Sequence, residues 1–225
     1  ILRGAQVGNM KKEPLKHQAY ELIKSNIINC IYAPGTIINE ELIREQINAS
    51  RTPIRDALSR LEQEGLVTIL PKKGILITDM SLKELNTLYE TRNLLEPYVV
   101  QHHGNKIPQE DYMKYYLMYT SYLKNPARDY SFAEMDDEFH QMFINATDNS
   151  FFIALYSSIE NQIRRTRVIS GRTSADRISE TIQEHLEIVK AALKNDWKGA
   201  AQAMKNHLAQ SQNSYFNYIL QHEKE

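Results

Sequence analysis

Four titratable residues stand on stripes that are otherwise apolar, and their donor types suit a metal ion. Phe132, Asp136, Phe139, His140 and Phe143 share one side of a segment at helical spacing. Ile178, Ile182, His185, Val189 and Ala192 do the same further on, and so do Ala200, Ala203, Met204, His207 and Leu208. A buried polar group must find a partner, so four of them on core-facing stripes are expected to meet or to share one. Asp136 and His140 are i, i+4, a spacing that aims two side chains at one point. One carboxylate with three imidazoles suits Zn, Ni, Mn or Fe and leaves at least one position open. Taken singly, each histidine reads as a hydrogen-bonded core residue; the set of four favours the ion. His17, His102, His103 and His222 lack that context and read as surface.

Arg92 is the second anomaly. It shares a core-facing stripe with Leu85, Leu88, Tyr89, Leu95 and Val99, and a buried guanidinium demands an anion. Glu96, four residues on, is one partner. The other is a small carboxylate effector, gripped bidentately by Arg92 while the metal takes its far end. Both stay open, and Arg164 and Arg165 are weaker candidates for the same task because a helix surface equally explains them.

A third set lies near the front of the chain, in Asn39–Gly65. Two short helices are expected there around the turn Ile47-Asn48-Ala49-Ser50, with Ile54, Ala57, Leu58 and Leu61 as the buried stripe of the second. Thr52 reads as its N-cap and Pro53 as its first residue. Arg51 and Arg55 sit badly at a helix end that carries partial positive charge, unless an anion faces them. Such a helix-turn-helix puts its leading arginines on phosphates and base edges in a major groove. The alternative is a solvated arginine face on a small hairpin. Beyond Gly65, Leu66–Leu70 and Ile75–Ile77 read as strands around the basic turn Pro71-Lys72-Lys73-Gly74, a wing whose Gly74 lets the main chain approach closely.

SRTPIRDALSRLEQEGLV followed by PKKGILI resembles the DNA-binding domain of GntR-family transcriptional regulators, and the resemblance covers about residues 14–77. It implies that Arg51, Thr52, Arg55, Lys73 and Gly74 contact double-stranded operator DNA. Glu41 departs from the pattern, since some members carry a base-reading arginine there, so position 41 is not counted as a contact. In the second half, Asp136-x-x-Phe139-His140, then Glu184-His185, then Ala203-Met204-x-x-His207-Leu208 resembles the FCD-type ligand-binding domain of the FadR subfamily. Metal-binding members hold their ion through an Asp and three His at these positions, which are Asp136, His140, His185 and His207 here. FadR itself lacks the metal, so the complete set argues against that branch.

These residues must be positioned by a chain of 225 residues with an ordinary globular composition, 42% hydrophobic and 24% charged. No apolar run approaches the ~20 residues of a membrane span, and no signal-peptide pattern opens the chain. The single cysteine, Cys30, excludes an internal disulfide, fits a reducing cytoplasm and reads as a small core residue. Net charge is −1, but residues 10–78 hold ten Lys/Arg against eight Asp/Glu, while 79–225 hold sixteen against twenty. The basic excess is therefore local to the expected DNA binder, where arrangement counts for more than the total.

The expected architecture is mainly α: a winged helix-turn-helix over 10–78 followed by an all-α bundle over 79–225. Met10-Lys11-Lys12 looks like a natural start, and residues 1–9 are excluded from the fold argument. The first helix is expected over Glu13–Ile31, with a short strand at Thr36–Ile38. The second half should hold six helices, over 81–103, 108–124, 129–146, 150–170, 174–194 and 197–222, in the manner of the VanR-like branch. The function expected is a cytoplasmic regulator, homodimeric through its helical half on a palindromic operator, whose affinity a small organic acid adjusts through the metal. Two alternatives are a metal-dependent hydrolase or oxygenase with an accessory DNA-binding module, and a regulator whose metal is only structural.

Overall fold

A computed structural model describes residues 14–125, 131–173 and 176–222. The chain divides into two compact units, the first ending at Asp79 and the second beginning at Met80. In the first, helices α1 (Leu15–Ile28), α2 (Glu40–Ile47) and α3 (Arg51–Gln63) pack beside strands β1 (Ile37–Ile38), β2 (Val67–Leu70) and β3 (Gly74–Ile77). Ile23 and Ile27 of α1, Ile43 of α2, and Ile54, Leu58 and Leu61 of α3 make one buried cluster with Ile75 and Ile77 of the sheet. The 3.6-residue stripe read in α3 is thus the face it buries. The sheet runs β1-β3-β2 and is antiparallel throughout, with Ile38 opposite Ile75 and Leu70 opposite Gly74.

Two helix ends differ from expectation, each for a local reason. The first helix stops at Ile28 rather than Ile31, because Cys30 adopts a left-handed φ of 51°. Its N–H then reaches the Ile27 carbonyl and the Ile31 N–H reaches that of Asn26, the paired closure that ends many helices. Cys30 itself is buried. At α3 the N-cap is Ser50, not Thr52, so Pro53 is the third helical residue rather than the first. A proline costs little there, because the leading N–H groups of a helix have no intrahelical acceptor.

The second unit is helical among its described residues: α4 (Leu82–His103), a 3-10 turn at Gly104–Lys106, α5 (Gln109–Lys124), α6 (Ser131–Asn145), α7 (Ser150–Thr173), α8 (Arg177–Leu193) and α9 (Trp197–His222). Ser81 starts α4 with a reciprocal cap: its Oγ accepts the Glu84 N–H at 3.2 Å, and Glu84 Oε2 accepts the Ser81 N–H at 2.8 Å. Asn195, left-handed at φ 57°, closes α8 as Cys30 closes α1. Residues 1–13 and 126–130 lie outside the described residues, as do the expected starts of the third and fifth helices of this half. So does the side chain of His222. Tyr89, Val99, Phe139, Phe143, Ile182, Val189 and Met204 form the interior, with Phe139 and Phe143 edge to face at 5.3 Å. No described helix is long and apolar enough to cross a membrane.

Candidate metal centre and nucleic-acid interface

Helices α6, α8 and α9 turn their polar anomalies toward one point. Asp136, His140, His185 and His207 are each 3% exposed or less. Candidate ligand atoms of the three histidines lie within 4.8 Å of one another. His185 Nε2 stands 3.4 Å from His207 Nε2 and 3.4 Å from Asp136 Oδ1. Two ligands at about 2.1 Å from a tetrahedral ion would be separated by about that distance. Asp136 Oδ1 and His140 Nε2 are buried without a hydrogen-bond partner. Orphaned acceptors of this kind are costly in a core unless a cation satisfies them, so the donor set fits a divalent transition metal.

The outer atoms of the four residues are all engaged. His140 Nδ1 meets Glu96 Oε2 at 2.5 Å, His207 Nδ1 meets Glu184 Oε2 at 2.8 Å, and His185 Nδ1 meets the Tyr119 hydroxyl at 3.1 Å. A carboxylate only accepts, so His140 and His207 carry their proton on Nδ1 and leave Nε2 bare toward the centre. Each of these carboxylates is held in turn by an arginine. Arg92 Nε is 2.6 Å from Glu96 Oε1, and Arg177 reaches both oxygens of Glu184 at 2.7 and 3.1 Å. Arg167 binds Asp136 through Oδ2, which leaves Oδ1 inward.

Burial pushes His185 well below the ordinary imidazole range, aided by His207 and His140. It takes His140 down to about 4, although Glu96 opposes the shift. Burial would raise Asp136, but the charge of Arg167 beside it outweighs burial and keeps the carboxylate ionised. Neutral His140 and His185 beside a charged Asp136 are the protonation states that a metal requires.

Arg92 is fully buried and paired with Glu96, so the local partner of the two takes it. One nitrogen, Nη1, remains buried without a hydrogen-bond partner. Arg164 pairs instead with Asp137 at 3.2 Å, and Arg165 is buried. The arginine that reaches the cluster on that helix is Arg167, which sequence reasoning missed along with Tyr119, Arg177 and the bracing roles of Glu96 and Glu184. Glu184 directly precedes His185, and that adjacency was the one available signal. Asp136 and His207 also border a crevice of about 20 Å³, lined further by Phe132, Arg167, Arg177 and Ser211.

The first unit offers a surface instead. Arg51, Thr52, Arg55 and Lys73 are exposed. Arg51 and Arg55 form one wall of a groove of about 920 Å³, and Lys72 and Lys73 at the wing form the other. Ser50 makes no side-chain cap, so the leading N–H groups of α3 are left for an external acceptor such as phosphate. Arg55 Nε is 3.5 Å from Glu40 Oε1, and Glu41 pairs with Arg44 at 2.9 Å. Gly74 lines the same groove, and at its φ of 119° a Cβ would stand 2.7 Å from the Ile38 carbonyl, so the glycine also lets β1 approach β3 closely.

Comparison with known proteins agrees with this arrangement. The gntR family of bacterial regulatory proteins matches residues 15–77, and the FCD domain matches 87–210. The HTH-type transcriptional repressor RspR of Escherichia coli is 26% identical over 203 residues, 87% of this chain and 86% of that protein. The gluconate operon transcriptional repressor of Bacillus subtilis is 27% identical over 176 residues, 76% and 69% of the two. The crystal structure of a GntR regulator from Rhodococcus shares the fold at a TM-score of 0.71 and 16% identity, over 90% of this chain and 97% of that one. With both family models in chain order and more than half of its length inside the FCD match, this chain belongs to the GntR family of transcriptional regulators.

Proposed function

We propose that Asp136, His140, His185 and His207 hold a divalent transition metal (Zn, Ni, Mn or Fe), and that a small organic acid bound there adjusts operator affinity. The observation that carries this reading is the convergence of Nε2 atoms and Asp136 Oδ1 on one point while their outer atoms are fixed by Glu96, Glu184, Tyr119 and Arg167. When bound, the metal supplies a Lewis-acid position that a carboxylate oxygen can occupy. Arg92 Nη1 is the spare donor for the far end of the acid. The crevice of about 20 Å³ accommodates no more than an ion or a water, so the acid must widen the site, and that widening couples it to the DNA-binding unit.

Arg51, Thr52, Arg55 and Lys73 would grip operator DNA in the cytoplasm, with Gly74 setting the shape of the wing. The six α-helices among the described residues of the second unit support a VanR-like FadR-subfamily assignment. A homodimer on a palindromic operator is supported by an apolar outer face on α4 and α7. There Leu94 is 74% and Phe151 83% exposed beside Tyr98 and Leu155, and the Tyr98 and Phe152 rings meet edge-on at 6.1 Å. Two copies joined there would present two recognition helices to successive half-sites.

The decisive experiment is operator binding by the metal-loaded protein, titrated with a panel of small carboxylates while metal content is followed by elemental analysis. The expected result is operator release, or tightening, by one acid class with the metal retained. A protein that keeps its metal but ignores every acid has a structural ion only, and a protein purified and reconstituted without binding any metal sinks the reading. Turnover has no place in this scheme, because the family consists of regulators.

A further inference from the structure

On the outer side of the cluster, an open groove of about 660 Å³ lies among α5, α8 and α9, bordered by Leu123, Glu180, Glu184, Glu187 and Lys190. Arg177 lines this groove and also the small crevice beside Asp136 and His207, the one residue common to both among the described residues. It is therefore the wall between them. The residue is 6% exposed, and its guanidinium is clamped by both oxygens of Glu184 and by Glu180 Oε2 at 3.3 Å. Glu184 faces two ways, since its Oε2 also accepts the His207 Nδ1 proton. The Glu180 side chain, by contrast, is 60% exposed and can follow a moving partner.

The charge of the groove says what passes through it. Among its described residues three carboxylates outnumber Arg177 and Lys190, and Lys190 is already bound to Glu187 at 2.8 Å. Such a field draws in a cation and repels an organic anion. Inside, the crevice ends on Asp136, whose buried Oδ1 has no hydrogen-bond partner.

We propose that this groove is the entry route of the divalent cation and that Arg177 is its gate. While the guanidinium holds Glu184, the wall is closed. When it leaves Glu184 and follows Glu180 outward, the two voids join and Glu184 is free to pass the ion to Asp136 and His207. This rests on the metal reading above and adds a path and a moving part to it.

The test follows Co²⁺ uptake by its visible spectrum, and its release to excess chelator, in the full chain by stopped flow. In Arg177→Met both rates rise by on the order of tenfold, because in the wild type the gating motion limits them, and the equilibrium affinity moves less than either. Glu180→Gln, which removes an exposed charge and spares the core, slows both rates together. Glu187→Gln slows uptake alone and weakens its dependence on ionic strength. Wild-type rates in both directions for Arg177→Met overturn the gate, as does an affinity loss carried by release alone, which would make Arg177 only a brace for Glu184 and His207. Should Arg177→Met fail to fold, unchanged rates in Glu180→Gln overturn it equally. A wild-type chain that takes up no Co²⁺ would instead overturn the metal centre itself.

Discussion

The two units of this chain keep their candidate site residues under opposite conditions. Arg51, Thr52, Arg55 and Lys73 stand in water on a small scaffold, whereas Asp136, His140, His185 and His207 are sealed among helices. An exposed guanidinium stays charged at no cost, so the front unit needs only the right local arrangement, not a strongly basic composition. A buried imidazole or carboxylate costs several kcal/mol unless something answers it. That is why the rear unit carries two relays of arginine, carboxylate and histidine where the front unit has single side chains. Removing a front residue would, on the proposed reading, delete only a contact to DNA. Removing a rear residue leaves a charge or a lone pair without an answer.

That contrast can be broken, starting from the largest effect. His185→Ala is expected to lower metal affinity by more than the ~100-fold that loss of a bracing residue alone can cost. Elemental analysis and isothermal titration would measure it, and retention of wild-type affinity would remove His185 from the centre. Acid comes next. Unfolded, His140 binds its proton near the ordinary 6.5, but folded it refuses until about 4. The unfolded chain therefore holds more protons in that window, and the metal-free protein should lose on the order of 3 kcal/mol as pH falls through it. Urea melts across pH 4 to 7 would show the slope, and a flat profile would mean that the imidazole is not sealed. The Asp136 carboxylate, held low, adds to the loss only at still lower pH.

Arg51→Ala should cost about 1–3 kcal/mol of operator discrimination. Its thermal melt should be unchanged, and footprinting on operator and scrambled duplexes would separate the two effects. The smallest effect compares two helix caps. Ser81→Ala removes a working cap and should cost about 1 kcal/mol, whereas Ser50→Ala should cost close to nothing, because Ser50 bonds no backbone group. Equal losses would contradict the idea that α3 leaves its leading N–H groups for DNA.

Period and donor type carried most of what the chain revealed before any coordinates. The stripe Ile54/Ala57/Leu58/Leu61 reads as a core face, and a carboxylate with three imidazoles on such stripes is expected to meet or to share a partner. Helix ends were less legible. Nothing in the letters around Cys30 announces a left-handed residue, and Thr52-Pro53 imitates a cap that Ser50 occupies. The bracing network was hidden for another reason. Three arginines crowd residues 164–167, and a stagger of one residue turns a helix by about 100°. Only the packing of α7 on α6 selects Arg167 for both Asp136 and Asp137 and leaves Arg164 to share Asp137. Arg177 is harder still, since its importance lies in a partition between two voids that no local pattern encodes.

Gly74 changes how losses of operator binding in this chain are to be interpreted. A methyl group at that position would collide with the Ile38 carbonyl and with the Ile37 side chain, so any substitution pries the first strand from the third. A Gly74→Ala protein that no longer retards operator DNA would report a dislocated hairpin. The informative partner is Lys73→Ala, which leaves that seam intact and silences only a charge.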